Sequence, residues 1–255
     1  EQYQNASGWP SLPINALNQL GSVGGSNTQV DYINLATTGN ATDFGDTISP
    51  AGYRAAAAST TRALFAGGYD GSILNQIEFT TIASTGSFTD FGDILLAQYG
   101  LTGLSNDTRG VFGGGDGAGN ASNVMQYVTI ASAGNSTDFG DMTTGRYLGS
   151  SCASSTRGIF AGGTTSFTQS TAQNIIDYLT IANTGNATDF GDLTAYRWNA
   201  GGCSSSVRGV FGGGKNSANV SINLIDYITI ASTGNAADFG DLTGTGTSTT
   251  ATSGS

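Results

Sequence analysis

Thr188-Asp189-Phe190-Gly191-Asp192 is the stretch whose reading decides the fold, because it recurs almost letter for letter with its last aspartate at Asp46, Asp93, Asp141, Asp192 and Asp241. Five copies at steps of 47, 48, 51 and 49 residues make this a repeat protein. The repeated positions belong to a scaffold, and function is to be sought where the copies differ.

A lone Asp-Phe-Gly would suggest a kinase metal-binding loop. Five copies, with neither a phosphate-cradling glycine loop nor a catalytic-loop signature, exclude that reading. Working outward, the second unit supplies the full pattern. Residues 52–60 (GYRAAAAST) read as a small-residue strand, and Arg62 to Gly68 as a second strand stopped by glycines. Ile77 to Ile82 reads as a third, and Asp90-Phe91-Gly92-Asp93 as a short fourth after a turn at Thr85-Gly86. The third strands are apolar at both alternating positions, as in Leu224-Ile225-Asp226-Tyr227-Ile228-Thr229-Ile230, so each sheet is expected to be covered on both faces. Four short strands in about 48 residues fit radial blades better than a sandwich or a solenoid.

Composition agrees. Gly is 40 of 255 residues, Pro only 3 and charged residues 10%, which suits short strands and tight turns rather than surface helices. The net charge of −10 belongs to the repeat, since most of the 18 acids fall in the TDFGD-type units or in the column Asp31, Glu78, Asp177 and Asp226. One lysine and seven arginines form no basic stripe, which argues against nucleic acid. The absence of histidine removes Ser-His-Asp and Cys-His catalysis and imidazole metal ligation. No apolar run is long enough to cross a bilayer as a helix. Cys152 and Cys203 share one column with Ala57 and Leu104 and read as small buried thiols, not a disulfide. Asn-x-Ser/Thr sequons stand at Asn5, Asn40, Asn106, Asn120, Asn135, Asn186 and Asn219; three follow a turn glycine, where Asn suits the turn.

The order of arginine-led strand, Val-Phe-Gly-Gly, apolar strand with an acid–aromatic pair, and aromatic last strand resembles the Kelch-type β-propeller blade over residues 20–242. Gly67-Gly68, Gly114-Gly115, Gly162-Gly163 and Gly213-Gly214 match the Kelch double glycine. Asp177-Tyr178 and Asp226-Tyr227 reverse the Kelch Tyr-Asp order, and Phe190 and its copies stand where Kelch has Trp. Ser136-Thr137-Asp138-Phe139-Gly140 also resembles the Asp-box of sialidase-type propellers, a structural turn between a blade's third and fourth strands. Both likenesses imply an all-β, five-bladed Kelch-like β-propeller with four antiparallel strands per blade. Expected blades are 20–50, 51–97, 98–145, 146–195 and 196–243, after an N-terminal arm at 1–19. Residues 244–255 are expected to close the ring as the missing inner strand of the first blade.

The repeated residues are assigned structural roles. Asp43, Asp90, Asp138, Asp189 and Asp238 are expected to accept N–H bonds within their own turns, and Phe44, Phe91, Phe139, Phe190 and Phe239 to plug the space between blades. The column Arg62, Arg109, Arg157 and Arg208 is expected to pair with a repeated Asp or to bond carbonyls at a blade junction. No cofactor is expected; calcium is the one metal the repeated Asp pairs admit, although no established calcium-loop spacing is present.

The loops after the double glycines vary (SNTQ, YDGSILNQ, DGAGNASNV, TTSFTQSTAQNI, KNSANVSINL), while the turns of the opposite face stay nearly constant. Blade links that emerge with the variable loops carry aromatics and arginine. Tyr53, Arg54, Tyr69, Tyr99, Arg146, Tyr147, Phe167, Tyr196, Arg197 and Trp198 are therefore the candidate ligand-binding face, suited to stacking on sugars or gripping an anionic group. Nearly every acid is fixed by the repeat, so the two unlike carboxyls of a glycosidase are missing and no enzyme is expected. Stretches such as Ile225 to Asp241 (IDYITIASTGNAADFGD) resemble repeat proteins of bacteriophage tails and fibres. That resemblance implies a virion-associated, extracellular module, with a host-surface glycan or another virion protein as partner and room for oligomers. The alternative is a secreted lectin-like or cell-surface adhesion protein of a microbe.

Overall fold

The computed structural model describes residues 15–19, 28–34, 38–117, 119–166 and 171–246. Among them there is no helix, and the strands form antiparallel sheets in a β-propeller arrangement. The first sheet has three strands, β1 (Asn15–Gln19), β2 (Gln29–Asn34) and β3 (Thr42–Asp46). Four four-stranded blades follow. They are β4 (Ala55–Ala58), β5 (Arg62–Ala66), β6 (Gln76–Thr81) and β7 (Thr89–Asp93); then β8 (Thr102–Ser105), β9 (Arg109–Gly113), β10 (Val124–Thr129) and β11 (Thr137–Asp141). Next come β12 (Ser150–Ala153), β13 (Arg157–Ala161), β14 (Gln173–Thr180) and β15 (Thr188–Arg197), and finally β16 (Gly201–Ser204), β17 (Arg208–Gly212), β18 (Ile222–Thr229) and β19 (Ala237–Gly246).

Two expectations are corrected. Complete blades number four, not five: among the described residues the first unit holds three strands, one of them from the segment 15–19 that the sequence assigned to an arm. Residues 244–246 do not add to the first sheet. They prolong β19, where Gly246 pairs with Ile222, because the Thr-Gly alternation after Asp241 continues the pleat of the strand it already belongs to. The rest of the expected closing segment lies outside the described residues.

The TDFGD unit is a β-bulge. In each third-to-fourth strand pair the register skips the phenylalanine: Ile176 faces Gly191 and Asp177 faces Asp189, leaving Phe190 unopposed. The same skip falls on Phe44, Phe91, Phe139 and Phe239. A bulge leaves its extra residue out of the ladder and swings the side chain off the sheet's alternation. The glycine after it takes φ between 134° and 143°, which a side chain would strain. The preceding aspartate accepts that glycine's N–H, as at Gly191 on Asp189 (3.2 Å), so the expected turn role of Asp43, Asp138, Asp189 and Asp238 is what the structure shows.

The bulge is also the junction between sheets. The phenylalanine carbonyl it frees accepts the N–H of a turn glycine in the next sheet, from Gly86 to Phe44, Gly134 to Phe91, Gly185 to Phe139 and Gly234 to Phe190, at 2.6–2.7 Å. The aspartate after the bulge takes part as well: the Asn135, Asn186 and Asn235 side-chain oxygens accept the N–H of Asp93, Asp141 and Asp192 at 3.0 Å. Its carbonyl then accepts from Ser136, Ala187 and Ala236. The outer edge of each of the first four sheets is thus covered by its neighbour, which removes an unpaired edge. Phe44, Phe91, Phe139 and Phe190 are buried in clusters, and that of Phe190 joins Ile159 and Ile176 of one blade to Phe211 and Ile228 of the next.

The arginine column adds a second clasp. Arg62, Arg109 and Arg157 donate to the carbonyls of Ile130, Ile181 and Ile230 in the following blade. Each guanidinium, Arg208's included, lies 4.4–4.6 Å over the aromatic ring of its own third strand, and that ring meets the bulge phenylalanine edge-on. Of the two partners expected for this column, the carbonyls are the ones found. Inner strands need small residues because their backbones touch: a Cβ on Gly103 would sit 2.2 Å from the Ala56 carbonyl oxygen. Cys152 and Cys203, on the neighbouring inner strands β12 and β16, are free thiols.

Gly140 and Gly240 share a backbone conformation (φ 134° and 135°), but a Cβ at Gly140 would meet the Gly185 backbone at 2.5 Å while one at Gly240 meets nothing. Gly140→Ala should therefore cost about 2 kcal/mol more than Gly240→Ala in urea unfolding. Equal costs would mean that the junction does not set the packing.

Candidate functional site

Links between blades and the variable loops meet on one face. Tyr99 bridges to Asp116, Tyr147 to Thr164 and Trp198 to Lys215, in each case a link residue against the residue after a double glycine. The double glycines turn the chain there, with φ of 62° and 105° at Gly162 and Gly163. The next link residue is left-handed in every blade: Tyr53 (φ 57°), Gly100 (69°), Leu148 (53°) and Asn199 (59°). These four are strung together beside the inner strands, Gly100 donating to Tyr53, Leu148 to Gly100 and Asn199 to Leu148 at 2.7–2.8 Å. Tyr and Leu in this region cost roughly 1–3 kcal/mol each, so the surrounding bonds must hold them there.

The arginines of this face are not available to a ligand. Arg54 pairs with Glu78, Arg146 with Asp177 at 2.8 Å and Arg197 with Asp226, with all six side chains buried. Burial pulls the Arg54 guanidinium down to about 10 and lowers Arg197 too. The acids do a second job. Glu78 accepts the N–H of Ile48, Asp177 that of Thr143 and Asp226 that of Thr194, so each clips the link arriving from the previous sheet.

The third unit carries glutamine at both positions, buried Gln98 and Gln126, and Gln126 accepts the Leu95 N–H in the same way. The second unit has Ala51 in the link column and supplies its arginine three residues later, from Arg54. The paired change to Gln98 and Gln126 was the one sequence signal that these arginines belong to a buried pair.

With the arginines occupied, the aromatics remain. Tyr99 lies at the centre of a cluster, its ring centroid 6.1 Å from Tyr53, 6.1 Å from Tyr69 and 6.3 Å from Tyr147. Its hydroxyl donates to Asp116 (3.3 Å), and burial, then Asp116, raise its pKa. Asp116 is itself buried and accepts the Gly119 N–H (2.6 Å), so it positions Tyr99. Tyr53 and Tyr69 stand 37% and 47% exposed, with exposed Asp70 beside Tyr69, and form an open aromatic platform. Tyr147 is buried and supports it from below. Trp198 is half-buried under Lys215, whose ammonium lies 5.3 Å from the ring, and Tyr196 is exposed. Phe167 lies outside the described residues. Among the described residues no three Asp, Glu or Cys side chains come together as a metal site would need.

No protein-family model matches the chain, and no curated protein is significantly similar to it.

Removing one partner of a buried pair strands a charge and typically costs about 3–5 kcal/mol. Arg197→Gln should fall in that range by chemical denaturation. Adding Asp226→Gln, the glutamine pair of the third unit, should recover more than half of the loss; no recovery would contradict the pairing.

Proposed function

We propose that the protein is a non-enzymatic, Kelch-like recognition module of a bacteriophage tail or fibre, and that it binds a host-surface glycan through the Tyr53–Tyr69–Tyr99 platform. The observation that carries the glycan reading is the platform itself: three phenol rings gathered on the variable face, two of them open to solvent, one held from beneath by a buried carboxylate. Flat aromatic surface of this kind suits the C–H faces of a pyranose, and phenol hydroxyls with Asp70 supply polar partners at its rim. Because Arg54, Arg146 and Arg197 are held in buried pairs, the ligand is a neutral sugar face rather than an anionic group.

The virion setting rests on the likeness of the IDYITIASTGNAADFGD-type units to tail and fibre repeats. A microbial adhesion protein would use the same platform, and a search of purified virions for the chain separates the two. Another virion protein as the partner would need a larger surface than the platform offers.

A glycan array provides the direct test. Tyr69→Ala and Tyr53→Ala should each weaken binding at least about tenfold, the worth of one lost stacking contact, with the melting temperature nearly unchanged. Binding to no glycan, or binding indifferent to both changes, would overturn the reading.

A further inference from the structure

Among the described residues, no turn docks on the bulge of the last blade. Phe44, Phe91, Phe139 and Phe190 are 2–3% exposed, whereas Phe239, in the same bulge, is 53% exposed. A Cβ on Gly45, Gly92, Gly140 or Gly191 would strike the next sheet's turn glycine at 2.5–2.6 Å; one on Gly240 has nothing within 4 Å. Val207 and Arg208, on the same face, are exposed. The bulge is formed and its aspartate accepts the Gly240 N–H at 2.9 Å, so this blade carries the complete bulge half of the joint.

The first sheet carries the other half. Each interior junction receives a turn glycine, a side-chain acceptor and a small or apolar residue, as in Gly134-Asn135-Ser136 or Gly185-Asn186-Ala187. The first sheet holds the same trio, Gly39-Asn40-Ala41, ahead of β3. Phe88 and Ser136 are buried and Ala187 and Ala236 half-buried against the preceding sheet, but Ala41 in their column is exposed, and among the described residues no carbonyl receives the Gly39 N–H as that of Phe44 receives Gly86. Among the described residues, then, the two halves of a joint used four times do not meet.

We propose that the Phe239 face binds the Gly39-Asn40-Ala41 turn of a second copy, joining chains head to tail through a fifth copy of the interior junction. Gly39 N–H would donate to the Phe239 carbonyl, Asn40 Oδ1 would accept from the Asp241 N–H, and the Asp241 carbonyl would accept from Ala41. The interface is heterologous, since each copy offers two different surfaces, and it builds closed rings or filaments according to its angle. Such an assembly would multiply the Tyr platforms and raise avidity, but it does not depend on them.

Sedimentation velocity from about 1 to 100 µM tests this on three chains. Wild type should shift to larger species as concentration rises. Phe239→Asp, which spoils the bulge face, and Ala41→Arg, which spoils the turn that docks on it, should each remain monomeric. An equimolar mixture of the two variants should form a dimer and stop there, because only one intact pair of surfaces exists between them. Both sites are exposed, and circular dichroism with thermal melts checks folding; Arg208→Glu on the same face replaces Phe239→Asp if the latter loses the last blade. A wild type monomeric throughout, as when the chain's own first sheet covers Phe239, would overturn the proposal. So would variants that associate like wild type, or a mixture that gives no dimer.

Discussion

The bulge at the phenylalanine of each TDFGD unit is the constraint on which the rest depends. A regular strand would point that side chain according to the pleat and spend its carbonyl within the sheet. One extra residue swings the ring into the gap between sheets and frees the carbonyl for the next sheet's turn glycine. The following glycine is needed twice over, for its positive φ and because the neighbouring backbone lies within 2.5–2.6 Å of where a Cβ would be. From this joint follow the burial of the sheet faces, the reach of Arg62, Arg109 and Arg157 to the next blade, and the small residues of the inner strands.

A second layer of the design holds the links. Glu78, Asp177 and Asp226 are acids on central strands, where a lone carboxylate would be costly; an arginine from the link neutralises each, and the carboxylate's remaining capacity fixes a link N–H. The third unit achieves the same clip with neutral Gln126, so the geometry matters more than the charge. Once links and loops are pinned in this way, the variable face becomes a rigid support on which Tyr53, Tyr69 and Tyr99 can be presented without loss of order.

Much of this was legible in the sequence. The period, the four strands of each full unit and the Asp–Gly turn all follow from local spacing, and in the second unit, where the sequence bounds all four strands, the structure places them within three residues. The bulge was not legible, because nothing in a single strand says which residue its partner skips. The fate of Arg54, Arg146 and Arg197 was missed for a related reason: their partners lie 24 to 31 residues away on central strands, and an arginine beside an aromatic reads alike whether buried or exposed. The paired glutamines at 98 and 126 held that information. The expected inner strand of the first blade failed because a Thr-Gly run suits continuation of β19 as well as it suits a new strand.

Amide hydrogen exchange at the turn glycines tests the central claim that the bulge carbonyl is the joint between sheets. Gly86, Gly134, Gly185 and Gly234 each donate to the preceding sheet's phenylalanine, while Gly39, in the first sheet, makes no such bond among the described residues. The account predicts that, at protein concentrations low enough to keep the chain monomeric, the first four amides are protected and exchange only when adjoining blades separate, while Gly39 exchanges at the rate of an open turn. Exchange of all five at the same rapid rate would contradict it.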